Sequence, residues 1–538
     1  MSEHDYDWVV IGSGFGGSVS ALRLAEKGYK VAVIESGPRI EDKDFPTSSM
    51  NLRRFYYMPF VGLRGFFRLN LFRDIFIVSG AGVGGGSLVY ANTLYRARPS
   101  FYSDPQWRDL GDWEKELAPF YDVTEQMLGV TTYDHDGPGE VLLRDYAEAI
   151  GRGHTYKKAP VGVFLGTPGM TVPDPYFGGD GPDRTGCISC GSCGLGCRHG
   201  AKNTLVKNYL YLAEKRGVEV LPQRTVTDVR PVGAADGSDG YEIRTARAGG
   251  IVRRSPRTIR AKGVVFAAGA LGTNRLLQRC KLAGSLPKVS DRLGYLVRTN
   301  SESIVAISGL DDSVDYSNSL TITRSMDPDD STHIELCSYG KGSDNQATQF
   351  GLLTPRGGRR TRPFFFAANV LRHPGKMWRL LRIRGWSQRT VLLLVMQSLD
   401  TAIRLKPQLR LPNGCVVMTT EQDPDKPNAD LVPQAYEAAE WFAQAMPGVA
   451  QAAMPEAVLS IPTTAHLLGG AVIGDSRATG VIDTEHRVFG YRNLLVCDGS
   501  AVPANVGANP SLTIATLTER AMSKIPAKAV EGLEGAVA

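Results

Sequence analysis

An α/β fold is predicted, in which a dinucleotide-binding domain is interrupted by a second, sheet-based domain. Three observations predict it: a strand–turn–helix–strand unit at the start of the chain, a second glycine-rich loop from Gly80, and short apolar strands through the middle before glycine-rich turns return. The first unit, Asp7 to Gly37, begins with the apolar run Trp8 to Ile11. Gly12, Gly14 and Gly17 follow in the spacing G-x-G-x-x-G, with Phe15 and Gly16 between, then a helical Ala/Leu stretch stopped at Gly28. A second apolar run, Val31 to Ile34, ends in Glu35. This is the Rossmann-like pattern: Gly12 for the turn, Gly14 for approach of a pyrophosphate, Gly17 for close helix–strand packing. The helix N-terminus offers free N–H groups to phosphates. Glu35 is expected to accept the hydroxyls of an adenosine ribose, which disfavours a 2′-phosphate and hence NADP.

Residues Asn51 to Phe76 are aromatic and basic without a helical period. They read either as a lid touching membrane or apolar substrate, or as an irregular segment packed on the core with solvated arginines; the second is preferred. The strand-like run Ile75 to Val78 then leads into GAGVGGGSLVYANT, where Gly82, Gly84, Gly85 and Gly86 strip side chains from the backbone ahead of Ser87 and Asn92. Such a stretch suits close approach to a flat ring or a pyrophosphate. Two glycine loops fit FAD, which is long and clasped at several points, better than NAD.

GSGFGG with Glu35, followed by GAGVGGGSLVYANT, resembles the glucose–methanol–choline (GMC) flavin oxidoreductases, and within them the bacterial cholesterol oxidases. The motif AAGALGTNRLL resembles the second GMC signature, adding Ala268 and Gly269, with Thr273-Asn274 where the family carries Ser/Thr-Pro. Ala81 and Tyr90 also depart from the family pattern. Near the C-terminus, AHLLGG holds His466, and NLLVCDGSAVPANVGANPSL holds Asp498, Gly499, Asn509, Pro510 and Ser511. The resemblance implies that His466 and Asn509 face the flavin ring, that Asp498-Gly499 contacts the flavin side chain, and that the helix from Ser511 points its N-terminus at the pyrimidine. It implies oxidation of a secondary alcohol to a ketone, with the 3-hydroxyl of a sterol as the leading substrate. Dehydrogenation of a terpenoid or long-chain alcohol is the runner-up, and a flavin/iron–sulfur electron carrier the alternative of another class. Cholesterol oxidases also use a Glu to shift a double bond; Glu335, in HIELCSYG, falls where it would lie, and a plain strand-edge Glu is the other reading.

A Pro/Gly-rich region runs into Cys187, Cys190, Cys193 and Cys197, spaced C-x2-C-x2-C-x3-C. Bacterial ferredoxins hold iron–sulfur clusters with that spacing. The loop is read as a [4Fe-4S] or [3Fe-4S] site passing electrons to a one-electron acceptor protein, as four reduced thiols, or as zinc. A helix is expected over Trp107 to Leu128, with Phe120 on its buried face, and strands over Ser303–Ile307, Leu320–Arg324, His333–Cys337 and Val391–Met396. Gln346 to Leu399 holds no acid but many arginines, with Phe364, Phe365, Phe366, Trp378 and Trp386 interleaved. That composition suits contact with an anionic membrane surface, a lid, or a solvated loop.

The expected division gives 1–42, 75–100, 186–292 and 461–525 to the FAD domain and 293–460 to the substrate domain; 43–74 is a lid segment, 101–185 a cap, and 526–538 a tail that frays. At 538 residues, 42% hydrophobic and net charge +6, the chain reads as a globular enzyme with no nucleic-acid partner. No apolar run reaches membrane-span length, and the first core strand begins too early for a secretory leader. A cytoplasmic protein, with or without surface association to a membrane, is expected; eight cysteines in such a chain do not make a disulfide scaffold.

Overall fold

Trp8 to Ile11 and Val31 to Ile34 are apolar without alternation, the pattern of strands covered on both faces. In a computed structural model of the chain, which describes residues 4–250, 255–410 and 415–529, they are neighbouring parallel strands, Tyr6–Ile11 and Val31–Ile34, joined by the helix Phe15–Glu26. The sheet continues on one side to Glu219–Leu221 and on the other to Arg257–Phe266. On its other edge, Arg257–Phe266 serves two further partners. Its first half pairs antiparallel with Tyr241–Arg247, and its end pairs parallel with Leu494–Val496. The C-terminal segment is thereby brought beside the first glycine turn. The helix Ser511–Ser523 then packs against Phe15–Glu26.

The second layer is an antiparallel seven-stranded sheet. Its centre is Thr390–Gln397, flanked by Ser303–Gly309 and Thr332–Ser338. Side chains alternate between the faces at period two. Val391, Leu393 and Val395 join a core with residues of the helices Pro138–Ala149 and Pro433–Ala445, while Leu392, Leu394 and Met396 face the other way. The four strands expected in this region are present, each within about two residues of its expected start.

Three expectations need correction. The helix foreseen from Trp107 begins at Trp113, because Asp112 caps it, accepting from Lys115 N at 3.4 Å, and Phe120 is only half-buried. Asn51 to Phe76 is not irregular: Phe67–Leu71 pairs with Phe76–Gly80, and Phe55, Phe66 and Phe67 are buried in a small aromatic core. The tail is tied as far as Lys528, whose Nζ donates to Asp7 Oδ2 at 2.6 Å; its remainder, from residue 530, lies outside the described residues. Among the described residues no helix is long and apolar enough to cross a membrane.

Candidate active site

The glycines of the first turn separate by what surrounds them. A Cβ on Gly12 would lie 2.2 Å from Ala267 O, and one on Gly17 would lie 2.0 Å from Gly12 O, so both are glycine for packing. A Cβ on Gly14 would meet nothing within 4 Å. Gly14 borders open space, as does Gly269 at φ +76° at the next strand–helix turn. Gly14, Phe15, Gly16, Gly86, Ala268 and Gly269 line one side of a cavity of about 330 Å³ between the two layers. Asp498, Gly499, Asn509, Pro510 and Ser511 line it as well. The start of the helix Ser511–Ser523 thus places unbonded N–H groups and a positive dipole end at the wall. Thr463 and Asn509 each keep a buried oxygen there without a partner, Oγ1 and Oδ1. Open glycine cradles, a helix N-terminus and unpartnered polar atoms are what a flavin and its pyrophosphate require.

The remaining residues expected at the cofactor lie off this wall. Gly82, Gly84 and Gly85 hold the two glycine loops together: a Cβ on Gly85 would lie 2.6 Å from Gly14 Cα. Ser13 Oγ donates to Gly82 O at 3.3 Å and accepts from Gly84 N at 3.1 Å, while Ser87 Oγ accepts from Leu205 N at 3.0 Å. Glu35 is buried, with Oε2 accepting from Ser13 N at 3.1 Å and Ser13 Oγ at 2.8 Å, and Oε1 from Gly37 N at 2.8 Å. Its carboxylate therefore also braces the glycine turn. Thr273 and Asn274 replace the family's Ser/Thr-Pro with bonds of their own. Thr273 Oγ1 donates to Asp498 Oδ2 at 2.6 Å, and Asn274 Nδ2 to Gly469 O at 3.0 Å.

His466 and Asn509 meet at the cavity. His466 Nε2 lies 3.4 Å from Asn509 Nδ2. On its other side, His466 Nδ1 lies 3.0 Å from Glu302 Oε2. A carboxylate only accepts, so Nδ1 carries the proton and Nε2 keeps its lone pair toward Asn509. The same Oε2 accepts from Thr464 Oγ1 at 2.8 Å and Ala465 N at 3.0 Å. Burial pushes the imidazole pKa down, and Glu302, with Glu335 behind it, more than reverses this, so the net shift is upward. Glu302 carries no sequence signal; it follows Asn300 and Ser301, two non-glycine residues at φ +59° and +43°. Asn300 also ties down the loop that bears Asn509, donating to Ala508 O at 2.8 Å and accepting from Gly507 N at 3.0 Å. One strained tripeptide thus braces both members of the pair, the kind of strain that a surrounding network must hold in place.

Glu335 is brought to this group but not to the cavity wall. It is fully buried behind Asn509, whose Nδ2 donates to Glu335 Oε2 at 3.2 Å.

The four cysteines line a separate cavity of about 270 Å³. They are free thiols, and among the described residues no three or more His, Cys, Asp or Glu are placed to hold a metal ion. Burial pushes the Cys187 thiol up to about 12 and raises that of Cys190. Metal ligation needs thiolates. Asn92, expected at the cofactor, donates instead to Cys193 Sγ at 2.9 Å. The iron–sulfur and zinc readings of Cys187, Cys190, Cys193 and Cys197 therefore find no support, nor does a one-electron acceptor protein.

The GMC oxidoreductase family pattern matches residues 181–294 and 416–518, and an FAD binding domain pattern matches residues 7–42. A cholesterol oxidase of Mycobacterium tuberculosis (strain H37Rv) is 46% identical over 97% of this chain and 92% of its own length. The chain belongs to the GMC oxidoreductase family. A cholesterol oxidase of Acinetobacter baumannii is 43% identical, covering 98% of this chain and 96% of its own. Among solved structures, pyridoxine 4-oxidase from Mesorbium loti superposes with a TM-score of 0.57 at 13% identity, covering 96% of this chain and 98% of its own, a likeness of fold alone. As a GMC enzyme the chain is an FAD-dependent oxidoreductase acting on CH–OH groups, and the cavity bordered by Gly14, Gly269 and Ser511 fits that cofactor.

Proposed function

We propose that this GMC enzyme oxidises the 3-hydroxyl of a sterol to the ketone. The observation that carries the reading is the pairing of His466 Nε2 with Asn509 Nδ2 at a cavity whose second-layer wall is mostly apolar, with Ile304, Ile322, Phe350, Leu392 and Leu394 beside Gln346 and Gln349. The two relatives named for cholesterol oxidation, alike over nearly the whole chain, support the substrate class. A hydroxyl set on the cavity side of the two nitrogens, within reach of both, donates its proton to His466 Nε2 and accepts from Asn509 Nδ2. The first bond removes the proton; the second stabilises negative charge growing on the oxygen. Glu302 faces the imidazolium that results. FAD, when bound, supplies the hydride acceptor. Glu335 acts here on Asn509 rather than on substrate.

The test is anaerobic mixing of the FAD-loaded enzyme with cholesterol, a terpenoid alcohol and a long-chain primary alcohol. Bleaching of the flavin with formation of the steroid ketone is expected for cholesterol; reduction by either of the others alone would reject the reading. His466→Ala should lower turnover by about 10²–10⁴-fold with FAD content unchanged, the usual contribution of a positioned proton acceptor.

A second proposal concerns how an insoluble substrate arrives. The helices Arg362–Arg372 and Pro374–Leu380 expose Phe364 (76%), Leu371 (81%) and Trp378 (76%) in the acid-free, arginine-rich stretch. They contact the strand Phe350–Leu352, and Phe350 is on the cavity wall. We propose that this pair docks on an anionic lipid surface, where apolar side chains insert and arginines meet headgroups.

A further inference from the structure

The strand Thr332–Ser338 sorts its side chains at period two, so Ile334 and Leu336 enter the apolar core while His333, Glu335 and Cys337 share the face toward the cavity. Cys337 lines that cavity. His333 is 2% exposed and Glu335 0%. Two ionisable side chains so placed are expensive unless paired. His333 Nδ1 lies 2.7 Å from Asp327 Oδ1, and its Nε2 lies 3.6 Å from Glu335 Oε1. That last gap is wider than a hydrogen bond, yet both atoms are buried and neither has another partner. Tyr95 sets its ring edge-on to the imidazole, centroids 5.0 Å apart, limiting its rotation. Asp327 leads outward, 3.3 Å from both Arg98 and the half-exposed Lys157.

The charges are settled by this order. Burial alone pushes Asp327 up and His333 down, but their mutual bond reverses both: Asp327 falls to about 2, and His333 rises with help from Glu335. Glu335 sits between His333 and Asn509, its Oε1 facing His333 Nε2 and its Oε2 accepting from Asn509 Nδ2. The amide of Asn509 must therefore turn its NH₂ to Glu335, which leaves Nδ2 facing His466 Nε2 and Oδ1 unpartnered. A donor in place of Glu335 Oε2 would instead bond the amide oxygen and turn the amide over. Asn509 would then present its oxygen to the His466 lone pair and lose its donor to the substrate oxygen.

We propose that Asp327 and His333 are positioning residues for this site: they hold the Glu335 side chain in place and through it fix the orientation of the Asn509 amide. The inference rests on the reading of His466 and Asn509 as the pair that takes the hydroxyl.

A double-mutant cycle tests it. His333→Gln, Asp327→Asn, Glu335→Gln, Asn509→Ala and the pairs His333→Gln/Glu335→Gln and Asp327→Asn/Glu335→Gln are measured as FAD-loaded enzyme for kcat, KM, bound FAD and Tm. His333→Gln is expected to lower kcat about tenfold with KM and bound FAD little changed, within the range of coupling between groups of one network. In the Glu335→Gln background the same change should add less than about twofold, because the group it acts through is already altered. Asp327→Asn should lower kcat in the same direction and show the same non-additivity, which covers failure of His333→Gln to fold. Losses that multiply, or a lower Tm with normal kcat per bound flavin, would overturn the inference. Asn509→Ala with normal turnover would remove the reading beneath it. An inactive Asn509→Ala beside a fully active His333→Gln would reject the dyad's role alone.

Discussion

Glu302 Oε2 accepts from Thr464, Ala465 and His466, and Glu302 Oε1 has no partner. That single oxygen fixes the tautomer and aim of the imidazole and sets when it can accept a proton. Burial lowers the His466 pKa and Glu302 raises it by more. Since the neutral ring is the acceptor, kcat/KM should rise with pH through the His466 pKa and level off above it. Glu302→Gln keeps an acceptor oxygen but removes the charge, so the acidic limb should move to lower pH. The plateau should also fall, because the imidazolium formed in turnover loses its counter-charge, though by less than the about 10²–10⁴-fold of His466→Ala. A pH profile across about pH 5–9, where histidine titrates, checks this; a limb that does not move would reject the assignment. Gly14→Val makes a second test at this scale. The space beside Gly14 is open, so the variant should fold with an unchanged Tm as apoprotein and fail to retain FAD, read from the absorbance of released flavin.

At the scale of elements, the helices Arg362–Arg372 and Pro374–Leu380 differ from those that cover the second sheet. Pro433–Ala445 buries Ala435, Ala438, Ala439 and Phe442, whereas Arg362–Arg372 buries Arg362. Arg362 is the anchor: its guanidinium donates to Tyr436 Oη at 3.1 Å and Glu456 O at 3.2 Å. Phe366 packs against the second-sheet core, while Phe364, Leu371 and Trp378 point outward, so the pair has an anchored side and an unsatisfied face. Co-sedimentation with anionic vesicles is expected at low salt and should weaken as salt screens the arginines. Phe364→Asp with Trp378→Asp should abolish it, while turnover of sterol presented in detergent stays near that of the parent enzyme. Equal binding by parent and variant would exclude these helices as the docking face.

Across the whole molecule, Arg298 joins segments that are far apart in sequence. Its side chain is fully buried, 3.2 Å from Asp104 and 2.6 Å from Asp400, and it donates to Thr401 O at 3.0 Å and Pro503 O at 3.1 Å. Pro503 lies in the loop that leads to Asn509, so this cluster joins the strand Val297–Arg298, Asp104, the turn at Asp400 and the active-site loop. Arg298→Met should destabilise the fold by about 3–5 kcal/mol, because Asp104 is left buried with its charge unmatched. Thermal unfolding of the FAD-loaded protein measures it, with flavin release expected to accompany the lower Tm; an unchanged Tm would show that Asp104 finds another partner.

What the sequence determined by itself is what a short window of chain can encode. The strand, glycine turn, helix and second strand from Asp7 to Glu35 are contiguous, and their spacing leaves few geometries, so the nucleotide fold was legible there. The alternation within Thr390–Gln397 could not assign its faces, because both are buried and all eight residues are apolar or uncharged. His466 and Asn509 were legible through family resemblance, not through local pattern. Their partners were not: Glu302 is 164 residues from His466, and Glu335 is 174 from Asn509. Nothing near Glu302 or His333 in the chain announces a buried charge network, since such a network exists only after two sheets have closed on it. The cysteine loop shows the converse. Its spacing alone permits a cluster, but ligation also needs ligands converging on a shared centre, and among the described residues the packing of that loop brings no three of them together in that way. Spacing is a property of the chain; convergence and desolvation belong to the folded protein, and they decide which ionisable groups are charged.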